Sequence, residues 1–275
     1  ASTSAKAAAA KAPAVYDENS IQHLEGLEHI RLRPGMYIGS LGDGSNENDG
    51  IYILLKEGID NSVDEFSQGF GKRIDIAIEG GRVKIRDYGR GIPLGKLEDC
   101  VSNVNTGAKY NNSVFKQAIG MNGVGIKATN ALSKWFNVMS CREGKIANAY
   151  FEQGTLVTYQ EKESLIQQET GTTIEFVPDE TIFKEGISLD TNLLRKQLQE
   201  LAFLSPGLTF VLRIDSNTEE IASKNGLLDY LDYLAKDRGN LTSKFYAETN
   251  EGRIGVKIAM MYCDQYTDSY KLYTN

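Results

Sequence analysis

A two-faced helical pattern between Gly50 and Gly69 constrains the fold of this chain more than any other segment. Apolar residues recur there at helical spacing and predict one buried stripe. The stripe consists of Leu55, Ile59, Val63, Phe66 and Phe70. Acidic and amide side chains at positions i, i+3, i+4 and i+7 lie on another face of the same helix. They are Glu57, Asp60, Asn61 and Asp64. One face must therefore enter a core, while the other meets water or a ligand.

Strand signals follow this helix at Arg73–Ile78 and Arg82–Asp87, with a Gly80-Gly81 hairpin turn between them. Further apolar runs predict strands at Trp135–Cys141, Ile146–Gln153, Thr172–Val177 and Thr209–Ile214. Other helices are predicted at 20–33, Leu94–Val104, Val124–Leu132 and Leu193–Leu204. This mixture predicts an α+β sandwich, in which one mostly antiparallel sheet carries helices on one face.

The chain divides into three parts by composition and pattern. Residues 1–15 are rich in Ala, Lys and Ser and predict a disordered tail, and residues 16–225 carry the predicted sandwich. A break near Lys224 to Gly226 precedes a helical pattern at Leu227–Leu234. Strand-like runs at Ile254–Met261 and Tyr270–Tyr273 complete the sequence. We expect residues 226–275 to form the start of a second domain, with the chain cut early in that domain.

Composition excludes several classes of function. Hydrophobic and charged contents of 41% and 24% are those of an ordinary globular protein, and no apolar stretch reaches membrane-spanning length. Three cysteines without CxxC spacing favour reduced thiols in the cytoplasm over a disulfide framework or zinc site. A net charge of −7 argues against a surface that grips nucleic acid as a whole, although a local basic patch stays open.

The pair Glu57 and Asn61 suits chemistry at a phosphate group. A carboxylate there can orient a water for in-line attack, and an amide oxygen one turn later can help to hold Mg²⁺. Such spacing is common in helices, so a solvated polar face is the alternative interpretation.

Asp87 ends its predicted strand and enters a glycine turn at Gly89-Arg90-Gly91. A buried carboxylate at this point can accept a hydrogen bond from the exocyclic amine of adenine but not from guanine's carbonyl oxygen. The glycines allow the backbone to approach a ligand. An Asx turn that merely closes the strand is the alternative.

A third glycine-rich run, Gly120-x-x-Gly123-x-Gly125, opens a predicted helix and suits phosphate oxygens. Its order is neither GxxxxGK[ST] nor GxGxxG, so it supports neither of those nucleotide folds. Lys109 lies upstream and can reach a phosphate, unless it simply faces solvent. The two histidines, His23 and His29, offer neither a metal geometry nor a catalytic triad. Taken in order, the three constellations predict binding and hydrolysis of ATP.

This order resembles the ATPase superfamily shared by type II topoisomerase B subunits, ninety-kilodalton heat-shock chaperones, mismatch-repair ATPases and sensor histidine kinases. Three flanking segments are similar to the B subunits of type IIA DNA topoisomerases, gyrase and topoisomerase IV. These segments are Leu24–Gly39, Asp87–Pro93 and Gly123–Gly125 with Asn130–Leu132. The similarity runs from about Tyr16 to the end, and it implies the Bergerat-type ATPase sandwich.

The resemblance implies a role for each matching residue. Glu57 is then the general base, Asn61 the Mg²⁺ ligand, and Asp87 the adenine reader, which Thr172 supports through a water. The phosphates are held by Gly120, Met121, Asn122, Gly123, Val124, Gly125 and Ile126, with Lys109 beside them. Glu65 and Arg90 form a salt bridge along a rim that also includes Gly91, Ile92, Pro93 and Arg142. Tyr16 lies on an arm that reaches the nucleotide of a partner subunit, and residues 105–122 form a lid.

Three positions depart from the family pattern. Ile53 stands where a histidine often precedes the catalytic Glu, Phe115 replaces a hydroxyl-bearing aromatic residue, and Asn122 replaces a histidine. The residues after Asp87 favour a topoisomerase IV-type subunit over gyrase.

The implied function is ATP-driven clamp closure and DNA strand passage, with ATP and Mg²⁺ as cofactors. The implied partners are a second copy of the subunit, a DNA-cleaving A-type subunit, and DNA in the full enzyme. We expect the chain alone to bind DNA weakly or not at all, and to hydrolyse ATP slowly because a lysine of the second domain is missing. The alternatives are a chaperone-type clamp and an ATP-binding dimerisation module without turnover. A sensor kinase is disfavoured, because no phosphoacceptor histidine helix pair is present.

Overall fold

The computed structural model describes residues 26–104, 106, 123–165, 169–236, 238–252, 254–265 and 268–274. Several predicted site residues lie outside these ranges. They are Tyr16, Lys109, Gly120, Met121 and Asn122, together with Phe115 and most of the predicted lid.

One eight-stranded sheet forms the centre of the described chain. Its strands are β1 (Arg73–Glu79), β2 (Arg82–Asp87), β3 (Ser133–Arg142), β4 (Lys145–Glu152), β5 (Thr155–Glu163), β6 (Gly171–Pro178), β7 (Thr209–Ile214) and β8 (Asn217–Ala222). Their order across the sheet is β5-β4-β3-β6-β2-β1-β7-β8. Every neighbouring pair is antiparallel except β1 with β7. The predicted, mostly antiparallel sheet is confirmed.

Helices cover the apolar face of this sheet. They are α1 (Gly26–Leu32), α2 (Gly35–Ile38), α3 (Gly50–Ser67), α4 (Leu97–Ser102), α5 (Gly125–Ala131) and α6 (Thr191–Leu204). A further helix, α7 (Leu227–Leu234), packs against α6. Residues of β1 and β2 alternate between buried and partly exposed, as expected when one face is covered and the other meets water. The α+β class predicted from the sequence is therefore confirmed.

Helix α3 lies directly on the sheet because it carries glycine at the contact. A Cβ atom on Gly58 would lie 2.7 Å from Cδ1 of Ile85 in β2. Leu55, Ile59 and Val63 are buried as predicted. Phe70 is not, because the helix ends at Ser67 and the ring is 42% exposed.

Other predicted elements also differ from the structure. The helix expected at Leu94–Val104 is a 3-10 turn at Leu94–Lys96 followed by the short α4. Strands β5 and β8 were not predicted, because both are edge strands with largely solvated side chains and lack an apolar alternation. The described part of the first predicted helix is limited to α1.

A separate two-stranded sheet follows α7, made of β9 (Phe245–Glu251) and β10 (Ile254–Met260). Strand β10 agrees with its prediction, β9 was missed, and Tyr270–Tyr273 is not a strand. Pairing of Met260 with Phe245 and of Ile258 with Ala247 places apolar side chains on one face. Phe245 and Ile258 are 54% and 50% exposed, so this face is largely uncovered by the described residues. None of the helices described here is long and apolar enough to cross a membrane.

Candidate functional site

Asp87 lies at the end of β2 with only 6% of its surface exposed. Its Oδ1 accepts hydrogen bonds from the backbone N–H groups of Gly89, at 2.9 Å, and of Thr172, at 3.0 Å. Among the described residues no donor contacts Oδ2. The first bond is an Asx-type contact that closes the turn, but the second comes from β6 and is not local in sequence. The carboxylate is therefore fixed by two amides and keeps one oxygen for a further donor.

Close approach of β6 to Asp87 depends on Gly171, which was not among the predicted site residues. Gly171 has a φ of +124°, and a Cβ atom there would lie 2.2 Å from the backbone oxygen of Asp87. Only glycine fits at this position. In the sequence, Gly171 directly precedes Thr172, and this neighbourhood was the available signal. The N–H of Thr172 is the group that reaches the carboxylate of Asp87.

Burial raises the pKa of Asp87 to about 6, from an ordinary value of 3.8. The hydrogen bonds from Gly89 and Thr172 oppose this rise because they favour the ionised form, and the nearby charge of Glu65 adds to it. The free protein thus holds a carboxyl group that ionises close to neutral pH.

This raised pKa predicts a pH-dependent loss of stability. The folded state keeps a proton that the unfolded chain releases, so the stabilisation is present at low pH and is lost as pH rises through about 6. Between pH values of about 4.5 and about 7.5 the contribution of Asp87 to the free energy of unfolding should fall by about 2 kcal/mol. Urea denaturation of the wild type and of Asp87→Asn at both pH values isolates this contribution. Equal pH dependence of the two proteins would contradict it.

The turn after Asp87 is held by the predicted salt bridge between Glu65 and Arg90, which is present. Oε2 of Glu65 accepts from Nε and from the backbone N–H of Arg90, at 2.9 and 3.0 Å, and Oε1 accepts from Nη2 at 2.8 Å. The guanidinium also lies 4.6 Å from the centroid of the Phe70 ring. Bidentate geometry and stacking both restrict this side chain. Helix α3 therefore fixes one side of the turn.

The remaining rim residues continue from this turn. Ile92 is half-buried against the core, Pro93 is exposed, and Gly91 has a φ of +75°. Arg142 ends β3, is half-buried, and donates from Nε to Glu143 at 2.8 Å. The carbonyl oxygen of Cys141, next to Arg142, would lie 2.6 Å from a Cβ atom on Gly91. The turn is thus packed on the end of β3.

Glu57 and the third glycine run meet at the start of α5. A Cβ atom on Gly125 would lie 1.7 Å from Oε2 and 1.9 Å from Cδ of Glu57, so only glycine fits beside this carboxylate. Glu57 and Asn61 are both half-buried, while Asp60 and Asp64 are buried. Asp60 and Asp64 on the polar face of α3 are thus buried, and the carboxylate of Glu57 lies against the backbone of Gly125.

The other described members of the glycine run surround this contact. Gly123 has a φ of +62°, Val124 precedes the helix, and Ile126 packs against the core. Ile53, which stands in place of the family's histidine, also packs against the core. These residues place glycine backbone next to the carboxylate of Glu57.

Lys127 is a polar residue of this region that sequence reasoning missed. Its side chain is only 2% exposed, and Nζ donates to the carbonyl oxygen of Thr106 at 2.6 Å. A lysine two residues after Gly125, on the inner face of a short helix, was the available signal. It ties the start of α5 to the chain that precedes the undescribed segment.

Within the described ranges, no group of three or more His, Cys, Asp or Glu side chains could hold a metal ion. An amide oxygen such as that of Asn61 is a type of ligand that Mg²⁺ accepts beside oxygens of phosphate groups and water.

Comparison with known proteins agrees with this geometry. Residues 46–182, about half of the chain, match the family model described as "Histidine kinase-, DNA gyrase B-, and HSP90-like ATPase". That range includes α3, β2, β6 and the start of α5. The chain belongs to this ATPase family. Membership in the family implies that the domain binds ATP.

Two curated relatives narrow the similarity within this ATPase family. The chain is 45% identical over 260 residues to the B subunit of DNA topoisomerase 4 from Borreliella burgdorferi, covering 94% of this chain and 42% of that protein. It is 35% identical over 275 residues to the B subunit of DNA gyrase from Synechocystis, covering 94% and 25%. The chain therefore spans less than half the length of these relatives.

A solved structure supports the same assignment for this ATPase. The crystal structure of the 43K ATPase domain of Thermus thermophilus gyrase B, in complex with an aminocoumarin, superimposes with a TM-score of 0.73 at 28% identity. The match covers 88% of this chain and 63% of that chain. The predicted resemblance to topoisomerase B subunits is confirmed.

Proposed function

We propose that this chain binds and hydrolyses ATP as the ATPase part of a type IIA DNA topoisomerase B subunit, of the topoisomerase IV type. The contact between Glu57 and Gly125 carries the proposal. It puts the carboxylate of Glu57 beside the glycine backbone at the start of α5, whose amides suit phosphate oxygens. The domain that holds both residues belongs to an ATPase family. The 45% identity to the B subunit of a topoisomerase 4 supports the choice of topoisomerase IV.

The base of ATP is recognised by Asp87 in this proposal. Oδ2 accepts from the exocyclic amine of adenine, while Oδ1 stays bound to Gly89 and Thr172. Guanine presents a carbonyl oxygen at the same place, and the two acceptors repel each other. The turn from Arg90 to Pro93 forms the rim beside the base, with Arg142 next to it.

The phosphates are bound by the glycine run and attacked by a water that Glu57 orients. Backbone amides from Gly123 to Ile126 provide donors, and residues 120–122 with Lys109 complete the group. The carboxylate of Glu57 accepts a proton from the attacking water, which raises its nucleophilicity. Asn61 would hold Mg²⁺, which would neutralise charge on the phosphates.

The whole protein would couple this site to DNA. In this proposal the N-terminal arm with Tyr16 crosses to a second copy of the subunit, and residues from 226 onward begin a transducer domain. The uncovered apolar face of the β9–β10 hairpin supports that boundary, because such a face belongs against further structure. A DNA-cleaving A-type subunit completes the enzyme, whose compartment would be the cytoplasm.

Base selectivity tests the proposal. With AMPPNP and ADP we expect saturable binding, whereas GMPPNP and GDP should bind at least about a hundredfold more weakly, because Asp87 cannot satisfy guanine. Isothermal titration calorimetry on the chain, with and without Mg²⁺, measures the Kd of the adenine and of the guanine nucleotides. Equal affinity for adenine and guanine nucleotides would remove the assigned role of Asp87. No binding of either would overturn the proposed function.

A further inference from the structure

Ser140 is a buried polar residue beside the candidate site. It lies near the end of β3, and its side chain is fully buried. Strand alternation puts it on the same face as Phe136 and Val138. A hydroxyl group on such an apolar face is costly unless it is hydrogen-bonded. Its Oγ donates to the backbone oxygen of Ile92 at 2.7 Å, which satisfies the hydroxyl.

The turn after Asp87 lies in direct contact with this serine. A Cβ atom on Gly91 would lie 2.9 Å from Oγ of Ser140, so glycine is needed for the approach. Ile92, the acceptor of the hydroxyl, follows immediately and precedes Pro93 at the rim. The position of this backbone is therefore set by the serine on β3.

The same turn is anchored on its other side by Arg90, which Glu65 holds through three hydrogen bonds. Arg90 and Ile92 are thus fixed from α3 and from β3, with only Gly91 between them. Removing one anchor would leave the backbone of residues 91–93 free to move relative to the other.

Ser140 is also linked to the residue that holds the base-reading carboxylate. It pairs across the sheet with Thr172, whose N–H donates to Asp87. We infer that Ser140 is a positioning residue, whose hydroxyl holds the 91–93 backbone at the spacing from Asp87 that an adenine base requires. This inference rests on the proposed function of the site.

Ser140→Ala tests the inference. The Kd values for ADP and for AMPPNP should both rise, by the same factor of about five to ten, because the lost contact acts on the base and not on the γ-phosphate. The kcat at saturating ATP should stay within about twofold. Calorimetry and steady-state turnover on the same chain provide these values. Should the alanine variant not fold, Ser140→Cys, which keeps a weak donor, should give a smaller rise of the same kind.

Ser133→Ala is the matched control. Ser133 lies on the same strand, is equally buried, and donates to the carbonyl oxygen of Thr129 at 2.6 Å, at the end remote from the turn. It should lower thermal stability to a similar degree and leave both Kd values unchanged. Equal Kd values for Ser140→Ala and the wild type, or an equal rise of the Kd values in both variants, would overturn the inference. Failure of the wild type to bind adenine nucleotides would overturn the proposed function instead.

Discussion

Replacing Glu57 with alanine should lower the rate of ATP hydrolysis by at least about a hundredfold, which is the contribution of a general base. The Kd for ATP should stay within about threefold of the wild type or become tighter, because the change removes a negative charge near the phosphates. Glu57→Gln should behave in the same way, since it keeps the size of the side chain but cannot accept the proton. Single-turnover hydrolysis with enzyme in excess, together with calorimetry, separates the two quantities.

The control for this experiment is Glu98→Ala. Glu98 is an exposed glutamate on α4, so this change removes the same kind of side chain from a helix outside the site. Its turnover and Kd should match the wild type. Unchanged turnover in Glu57→Ala would show that Glu57 is not the base, and an ATP-binding module without turnover would then be the preferred interpretation.

Replacing Asp87 with asparagine should raise the Kd for ATP at least about a hundredfold, close to 3 kcal/mol of binding free energy. The asparagine oxygen can still accept from Gly89 and Thr172, but an NH₂ group then faces the amine of adenine. Two donors cannot satisfy each other in a buried site. At a pH of about 7.5 the free variant should be at least as stable as the wild type, because burial disfavours the charge of the ionised carboxylate.

Loss of binding without loss of stability is therefore the expected signature of Asp87→Asn. Asp75→Asn is the matched control, since Asp75 lies opposite Arg86 on the neighbouring strand and accepts from Tyr88 at 2.6 Å. Its Kd should stay within about threefold of the wild type. If Asp87→Asn binds ATP as well as Asp75→Asn does, the carboxylate does not read the base.

The fold was predictable where local pattern and burial agree. The stripe at Leu55, Ile59 and Val63 and the strands on both sides of Gly80-Gly81 are periodic because one face of each is buried. Strands were not predicted where their side chains are too exposed for burial to impose an alternation of apolar and polar residues. Strands β5 and β8 lie at the edges of the sheet, and their largely exposed side chains alternate too weakly to reveal a strand.

Phe70 shows a second limit of pattern reasoning. It continues the apolar stripe of α3 by spacing, but the helix ends three residues earlier and Gly69 adopts a φ of +90°. Phe70 therefore lies beyond the end of α3, and its ring packs against the guanidinium of Arg90. Where a helix stops is decided by local backbone geometry and by tertiary partners, so the spacing alone gave a wrong burial for this residue.

The sequence by itself determined the class of fold and the family of the chain. Residue types in order, from Glu57 through Asp87 to Gly125, together with their flanks, were enough to indicate an ATPase of the topoisomerase B type. Only the tertiary structure decided that Glu57 lies against Gly125, that Thr172 and Gly171 complete the surroundings of Asp87, and that the hydroxyl of Ser140 binds the turn at Ile92. Those contacts join residues 48 to 85 positions apart in the chain, and such pairings are set by strand register and packing, which no local pattern contains.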